Sequence, residues 1–280
     1  MKSQYLKLNL VALLTVFLFV SCETTDEIID EQSAALTSDD ITAVEEVDMV
    51  MEEVTNTAEQ AFVEEEGGST VTRGQNFTSF FPDCLTKTVI TTNLTKHVTL
   101  DFGDGCEVRG HFMAGIMILS YEKDPALHTR TITVEFDSFR VDHKLIEGSH
   151  SILRQLENEN GNPQSTATFD VNVTWDNGDT ASRTGEKVRE WIEGVGTGVW
   201  SDNVYLITGH WNTVRRNGDV ISGEVTTALR RELVCRFLVS GVIDLTKNDR
   251  SGSLDFGDGT CDNEALLTLD DGTEIVITLH

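Results

Sequence analysis

From Arg73 to its C-terminus, the chain alternates apolar and polar residues with a period of two. The alternation is clearest over 131–141 and 167–175 and looser over 274–279, where Thr, Val and Ile are frequent. Because successive side chains of a β-strand point to opposite faces, this period is typical of strands with one buried face. Asn-Gly or Asp-Gly pairs, which favour tight hairpins, lie at 160–161, 177–178, 217–218 and 271–272. The sequence therefore predicts an all-β domain over 73–280, an antiparallel meander of hairpins closing toward a sandwich or partial barrel.

Two internal repeats divide this domain into related hairpin units. Residues 100–106 read Leu-Asp-Phe-Gly-Asp-Gly-Cys, and residues 254–261 repeat them with one inserted Thr. The segment 136–148 aligns without a gap with 211–223, at an offset of 75. No single period covers the whole chain, so the repeats predict duplicated hairpins and not a solenoid.

The acidic residues are unevenly distributed. The net charge of −26 arises from 47 acidic and 21 basic residues. Residues 23–66 hold 16 of the acidic residues, and no Lys or Arg occurs between Lys7 and Arg73. Nucleic-acid binding requires clustered Lys and Arg, so this composition argues against a nucleic-acid partner. It also makes residues 23–72 an acidic tether, physically distinct from the β domain.

The tether contains a helical pattern near 39–63. Apolar residues recur there at alternating spacings of three and four, which is the period of an amphipathic helix. The stripe consists of Val44, Val47, Met51, Val54, Ala58 and Ala61. Because an isolated helix of this length is marginally stable, we expect its stripe to pack on the β domain or on a partner helix. We favour the β domain, since a coiled coil usually needs three or more heptads and the stripe barely spans three.

The first 22 residues have the three parts of a secretory signal peptide. Lys2 and Lys7 precede an apolar run over 8–20, and Ser21 and Cys22 follow it. The stretch 19–22, Phe-Val-Ser-Cys, resembles the lipobox of bacterial lipoprotein precursors. The resemblance implies that Cys22 is lipidated and becomes the first residue of the mature protein, anchored in the outer membrane.

The acidic run that follows Cys22 has two interpretations. It resembles the surface-export signal of lipoproteins from Bacteroidota-type bacteria, which implies a protein facing the cell surface. The alternative is a solvated tether that holds the domain away from the bilayer.

The β domain also resembles β-rich envelope lipoproteins of Bacteroidota. The shared features are the Gly-rich strand ends at 100–106 and 254–261, the triplet Cys-Asp-Asn at 261–263, and a last hairpin over 270–279. The resemblance covers most of 82–280. It implies a location and a fold but no activity.

Four cysteines remain beyond Cys22, and an even number in an exported protein favours disulfides. The repeat selects one of the three pairings, Cys84 with Cys106 and Cys235 with Cys261. Zinc ligation is an alternative, but zinc usually requires close pairs such as Cys-x-x-Cys, which are absent. Free thiols are the other alternative if the protein meets no oxidising compartment.

The repeated Asp-Phe-Gly-Asp-Gly string brings four carboxylates to strand ends. Clustered Asp oxygens with glycine turns are suited to calcium, which gives an alternative metal site at Asp101, Asp104, Asp255 and Asp258. The spacing departs from that of an EF-hand loop. We favour tight turns in which Asp caps backbone N–H groups, and so predict no metal site.

The remaining candidates for ligand contact are aromatic. Trp191 and Trp200 flank the Gly-rich segment 194–198, where exposed indole rings would provide a platform for a ligand. No catalytic motif is present, and no cofactor is indicated. The sequence therefore predicts a lipid-anchored envelope protein with a non-enzymatic binding or structural role. Its partners are the membrane, through the lipid anchor, and another envelope protein or a glycan. The alternatives are a glycan-acting enzyme and a calcium-dependent adhesion module.

Overall fold

A computed structural model of the chain describes residues 36–66, 81–123, 128–197 and 199–279. The predicted signal peptide, Cys22 and the first part of the predicted tether lie outside these residues. The described part contains helix α1 (Ser38–Glu66), a short 3-10 helix (Trp200–Asp202) and 14 strands. The strands are β1 (Thr86–Thr91), β2 (Thr95–Asp101), β3 (Cys106–Val108), β4 (His111–Glu122), β5 (Thr129–Val141), β6 (Lys144–Gln155), β7 (Gln164–Thr174), β8 (Thr180–Glu193), β9 (Val204–Arg215), β10 (Val220–Glu232), β11 (Leu238–Lys247), β12 (Arg250–Asp258), β13 (Glu264–Leu269) and β14 (Glu274–Thr278).

The strands form one antiparallel sheet in chain order. Each strand pairs with the next, except that β2 pairs with β4 and the short β3 pairs with β4 alone. The sheet does not close, because β1 and β14 are its two edges. The predicted all-β meander with one N-terminal helix is therefore confirmed.

Helix α1 lies against the concave face of this sheet. The six residues of its apolar stripe are all buried, the most exposed being Val44 at 6%. Only Ser38, Asp39 and Val63 of its 29 residues are exposed. The helix thus has no continuous solvent face, and the sheet must curve around it.

Two apolar clusters join the helix to the sheet. The C-terminal half of α1 packs with β2 to β7 around Phe102, Phe139 and Ile152. The N-terminal half packs with β7 to β14 around Phe169, Trp211 and Leu267. The helix is consequently part of the core of the β domain, as its stripe predicted.

Two disulfides fasten the duplicated Asp-Phe-Gly-Asp-Gly segments. Cys84 is bonded to Cys106 and Cys235 to Cys261, with Cα–Cα distances of 5.6 and 5.8 Å. These are the pairs that the repeat selects. The buried side chains of Phe102 and Phe256 occupy equivalent places in the two segments.

Alternate hairpin turns lie at one end of the sheet, which we call the turn end. It includes the turns after β5, β7, β9 and β11. The chain enters the structure here, since the side chain of Leu36 lies beside Gly252 near the start of β12. Among the described residues, no helix has the length and apolar character needed to cross a membrane.

Candidate functional site

Ion pairs fix the position of α1 within the sheet. At least nine basic side chains of the sheet contact carboxylates of the helix. They are Lys87, Lys96, Arg109, Arg130, Arg183, Lys187, Arg189, Arg215 and Lys247. The carboxylates in the last turn of α1 are repelled by the negative end of the helix dipole. Ion pairs with Lys87, Lys96 and Arg130 offset that repulsion.

At the turn end, the helix is held by Asp40, whose side chain is 4% exposed. One oxygen, Oδ2, accepts hydrogen bonds from Lys247 Nζ at 2.9 Å and from the backbone N–H of Thr37 at 3.0 Å. The other oxygen, Oδ1, accepts a hydrogen bond from Arg215 Nη1 at 2.9 Å. A buried carboxylate needs such partners, and Asp40 in turn fixes the side chain of Arg215.

Two neighbouring hairpins have turns of the same construction. In the β7–β8 turn the N–H of Asp179 donates to Asn177 Oδ1 at 2.9 Å, and in the β9–β10 turn the N–H of Asp219 donates to Asn217 Oδ1 at 3.0 Å. Each turn has a glycine with positive φ between these residues, as Asn-Gly pairs favour. The two turns are 40 residues apart and place matching polar groups side by side.

A groove of about 370 Å³ lies between these turns and the first half of the helix. Trp175 and Arg215 hold the same position in their turns, two residues before the Asn, and both line the groove. The remaining lining residues are Ala43, Val44, Glu46, Asn177, Asp179, Thr180, Ala181, Thr213, Arg216 and Asn217. The volume is within the range of small-molecule sites.

The indole ring of Trp175 is held in place from the helix. Its Nε1 donates a hydrogen bond of 2.6 Å to Glu46 Oε2, and the residue is partly buried. The ring therefore cannot rotate freely, and one aromatic surface is fixed beside carboxylate, amide and guanidinium groups. Such a surface offers an apolar face and polar groups to the same ligand.

No family model, curated protein or solved structure matches this chain. Its function is therefore inferred from its own residues.

Of the aromatic pair singled out from the sequence, Trp191 is not part of the groove. Trp191 lies near the opposite end of β8, with its ring centroid 5.8 Å from that of Tyr205 and its N–H bonded to Glu193 O. Trp200 lies in the 3-10 helix near that same end. Sequence reasoning missed Trp175, although the two Asn-Gly-Asp turns at 177–179 and 217–219 were a signal for it.

The repeated Asp residues act in the turns. Asp101 Oδ1 accepts a hydrogen bond from the N–H of Gly103, and Asp255 Oδ1 accepts one from Gly257, each at 2.8 Å. Asp104 is exposed, and Asp258 accepts a hydrogen bond from Thr260 Oγ1 at 3.0 Å. In the part of the chain that the structure describes, no three His, Cys, Asp or Glu side chains group closely enough to hold a metal ion.

Glu45 and His150, at the helix–sheet interface, have strongly shifted pKa values. Burial, together with the charge of Asp48, raises the pKa of Glu45 to about 7. Burial lowers the pKa of His150 to about 4. Neither residue lines the groove. The groove itself combines an aromatic ring with carboxylate, amide and guanidinium groups.

Proposed function

We propose that the protein is a lipid-anchored envelope protein that binds a saccharide, without catalysis, in the groove beside Trp175. The observation that carries the proposal is the indole ring of Trp175, which Glu46 holds in the groove formed by two polar turns and the helix. A sugar ring has apolar C–H faces and a rim of hydroxyl groups that both donate and accept hydrogen bonds. The groove has one aromatic face, carboxylate and carbonyl acceptors, and guanidinium donors.

The location in the envelope is proposed from the N-terminal sequence. A signal peptide over 1–22 and lipidation at Cys22 would attach the chain to the outer membrane. Thirteen residues, 23–35, separate Cys22 from Leu36 and reach at most about 45 Å.

Catalysis is the second candidate and has less support. Glycoside hydrolysis generally uses two carboxyl groups about 5–10 Å apart across a cleft, one of them an acid with a raised pKa. Glu45 has such a pKa but is outside the groove, and Glu46, which lines it, is bonded to Trp175. Binding without turnover fits this arrangement better.

The test of saccharide binding is a glycan array followed by titration calorimetry, using the full mature chain in detergent. Trp175→Ala should weaken binding about fivefold or more, taking as a guide the roughly 1–3 kcal/mol that a base gains by stacking on an aromatic side chain. Trp191→Ala is the matched control, since that indole lies outside the groove, and it should bind as the wild type does. Equal binding by both variants, or no saccharide bound at all, would refute the proposal.

The anchor is tested separately. Cys22→Ala should release the protein from the membrane fraction and abolish incorporation of labelled palmitate. Unchanged membrane association in this variant, with no acyl mass on the wild-type protein, would refute lipidation.

A further inference from the structure

Arg216 differs from the other charged residues of the groove in how it is held. Its side chain is 65% exposed, and its Nη1 donates a hydrogen bond of 3.0 Å to the carbonyl of Gly178. Its backbone N–H donates to Thr180 O at 3.0 Å. Both bonds cross from the β9–β10 turn to the β7–β8 hairpin. The backbone of Arg216 is therefore tied to Thr180, and its guanidinium is positioned by the neutral carbonyl of Gly178.

The charge of this guanidinium is only weakly compensated. Its contact with a carboxylate is to Asp179 Oδ1 at 3.9 Å, and Asp179 is itself 61% exposed. Exposed pairs at such a distance contribute little. Arg215, by contrast, is neutralised at 2.9 Å by the buried Asp40. Among the described lining residues, Arg216 is therefore the cation best placed to pair with a ligand.

We infer that the groove selects a saccharide bearing a carboxylate, with its ring on Trp175 and its carboxylate on Arg216. This inference rests on the proposed function. A guanidinium pairs with a carboxylate through two parallel hydrogen bonds, and here its position is set before the ligand arrives. Uronic and ulosonic acid residues have this combination of a sugar ring and a carboxylate.

The acidic character of the whole chain does not prevent such binding. The net charge of −26 acts at long range, where salt screens it beyond about 8 Å under physiological conditions. The direct pair with Arg216 is made at hydrogen-bond distance and is screened much less. Bound ligand would displace only the weak contact of Arg216 with Asp179.

The test uses the full mature chain and a panel of uronate-containing oligosaccharides. Each oligosaccharide is measured before and after chemical reduction of its carboxyl groups, which leaves the rest of the sugar unchanged. We expect at least one acidic member to bind roughly tenfold or more tightly than its reduced counterpart. Arg216→Gln should remove most of that difference, because it should weaken binding of the acidic sugar roughly tenfold or more and binding of the reduced sugar by much less. Arg236→Gln, which removes an exposed charge near the opposite end of the sheet, is the control and should preserve the difference.

The outcomes separate this inference from the function on which it rests. If reduced and acidic sugars bind equally and Arg216→Gln changes neither, carboxylate selection is wrong while saccharide binding stands. If acidic sugars bind equally to the wild type, Trp175→Ala and Arg216→Gln, they bind outside the groove and both ideas fail. If no member of the glycan array or the panel binds, the proposed function fails and the inference fails with it. A phosphorylated sugar that binds through Arg216 more tightly than every carboxylated one would also overturn the inference.

Discussion

The buried imidazole of His150 makes the stability of the fold sensitive to acid. Its side chain lies between helix and sheet with 1% of its surface exposed. Its Nε2 is 3.2 Å from Thr55 Oγ1, its ring is stacked 6.4 Å from that of Phe169, and Nδ1 has no partner in the described structure. A charged imidazole would have no compensating group there, which is why burial lowers its pKa from 6.5 to about 4.

The sign and size of the effect follow from proton linkage. Between pH 6.5 and pH 4 the unfolded chain binds a proton that folded His150 does not, so stability falls as the pH falls through this window. Well above pH 6.5 the imidazole is neutral in both the folded and the unfolded chain, so its titration costs no stability there. This difference in pKa lowers the free energy of unfolding by about 3 kcal/mol once the pH is below both pKa values. Between pH 7 and pH 5 the free energy of unfolding falls by about 2 kcal/mol.

The assay is urea denaturation at several pH values, with the disulfides intact. His150→Gln keeps a polar neutral side chain of similar size and removes the titration. The difference in unfolding free energy between the wild type and this variant cancels the other ionisable groups. We expect the wild type to lose about 2 kcal/mol relative to His150→Gln between pH 7 and pH 5. His210→Gln, an exposed position on the sheet, is the control. If the difference stays constant with pH, His150 is not a buried neutral imidazole in the folded protein.

Two further predictions concern the attachments of the helix and of the duplicated segments. Lys247→Met leaves Asp40 buried with only part of its charge compensated, and should lower the unfolding free energy by about 3 kcal/mol in urea denaturation. Arg140→Met, which removes an exposed pair with Asp176 at 3.8 Å, should cost about 1 kcal/mol or less; equal effects would contradict the buried pair. Replacing Cys235 and Cys261 together by Ser opens a loop of 26 residues and should cost about 3.5 kcal/mol, measured by the same method. Peptide mapping without reduction should find only the pairs 84–106 and 235–261, and a crossed link would refute the assignment.

Local features of the sequence were sufficient to predict the meander and the pairing of its cysteines. Strand alternation and Asn-Gly turns act over a few residues, so they survive in the sequence as readable patterns. The helix stripe from Val44 to Ala61 is equally local. The repeat of Asp-Phe-Gly-Asp-Gly gave the disulfide pairs because each copy lies between the two cysteines of its own pair.

The role of the helix carboxylates was not accessible from the same patterns. A run of Asp and Glu without basic neighbours in sequence is typical of a solvated segment. Its partners here are distant in the chain, as with Asp40 and Lys247, which are separated by 207 residues. Only the curvature of the sheet brings them together. The groove was missed for a related reason, since Trp175 and Arg216 line it from two separate hairpins.

The acidic helix occupies the space inside the curve of the open sheet. A sheet of 13 successive strands that curled fully would enclose a space wider than side chains alone can fill. A helix of 29 residues, about 43 Å long and 10 Å wide, fills much of that space. Its apolar stripe covers only part of its circumference, so its remaining sides must meet polar groups of the sheet. Basic residues from β1 to β11 provide them, and Arg215 does so at the wall of the groove. The pairing that holds the helix inside the sheet therefore also sets the shape of the proposed binding site.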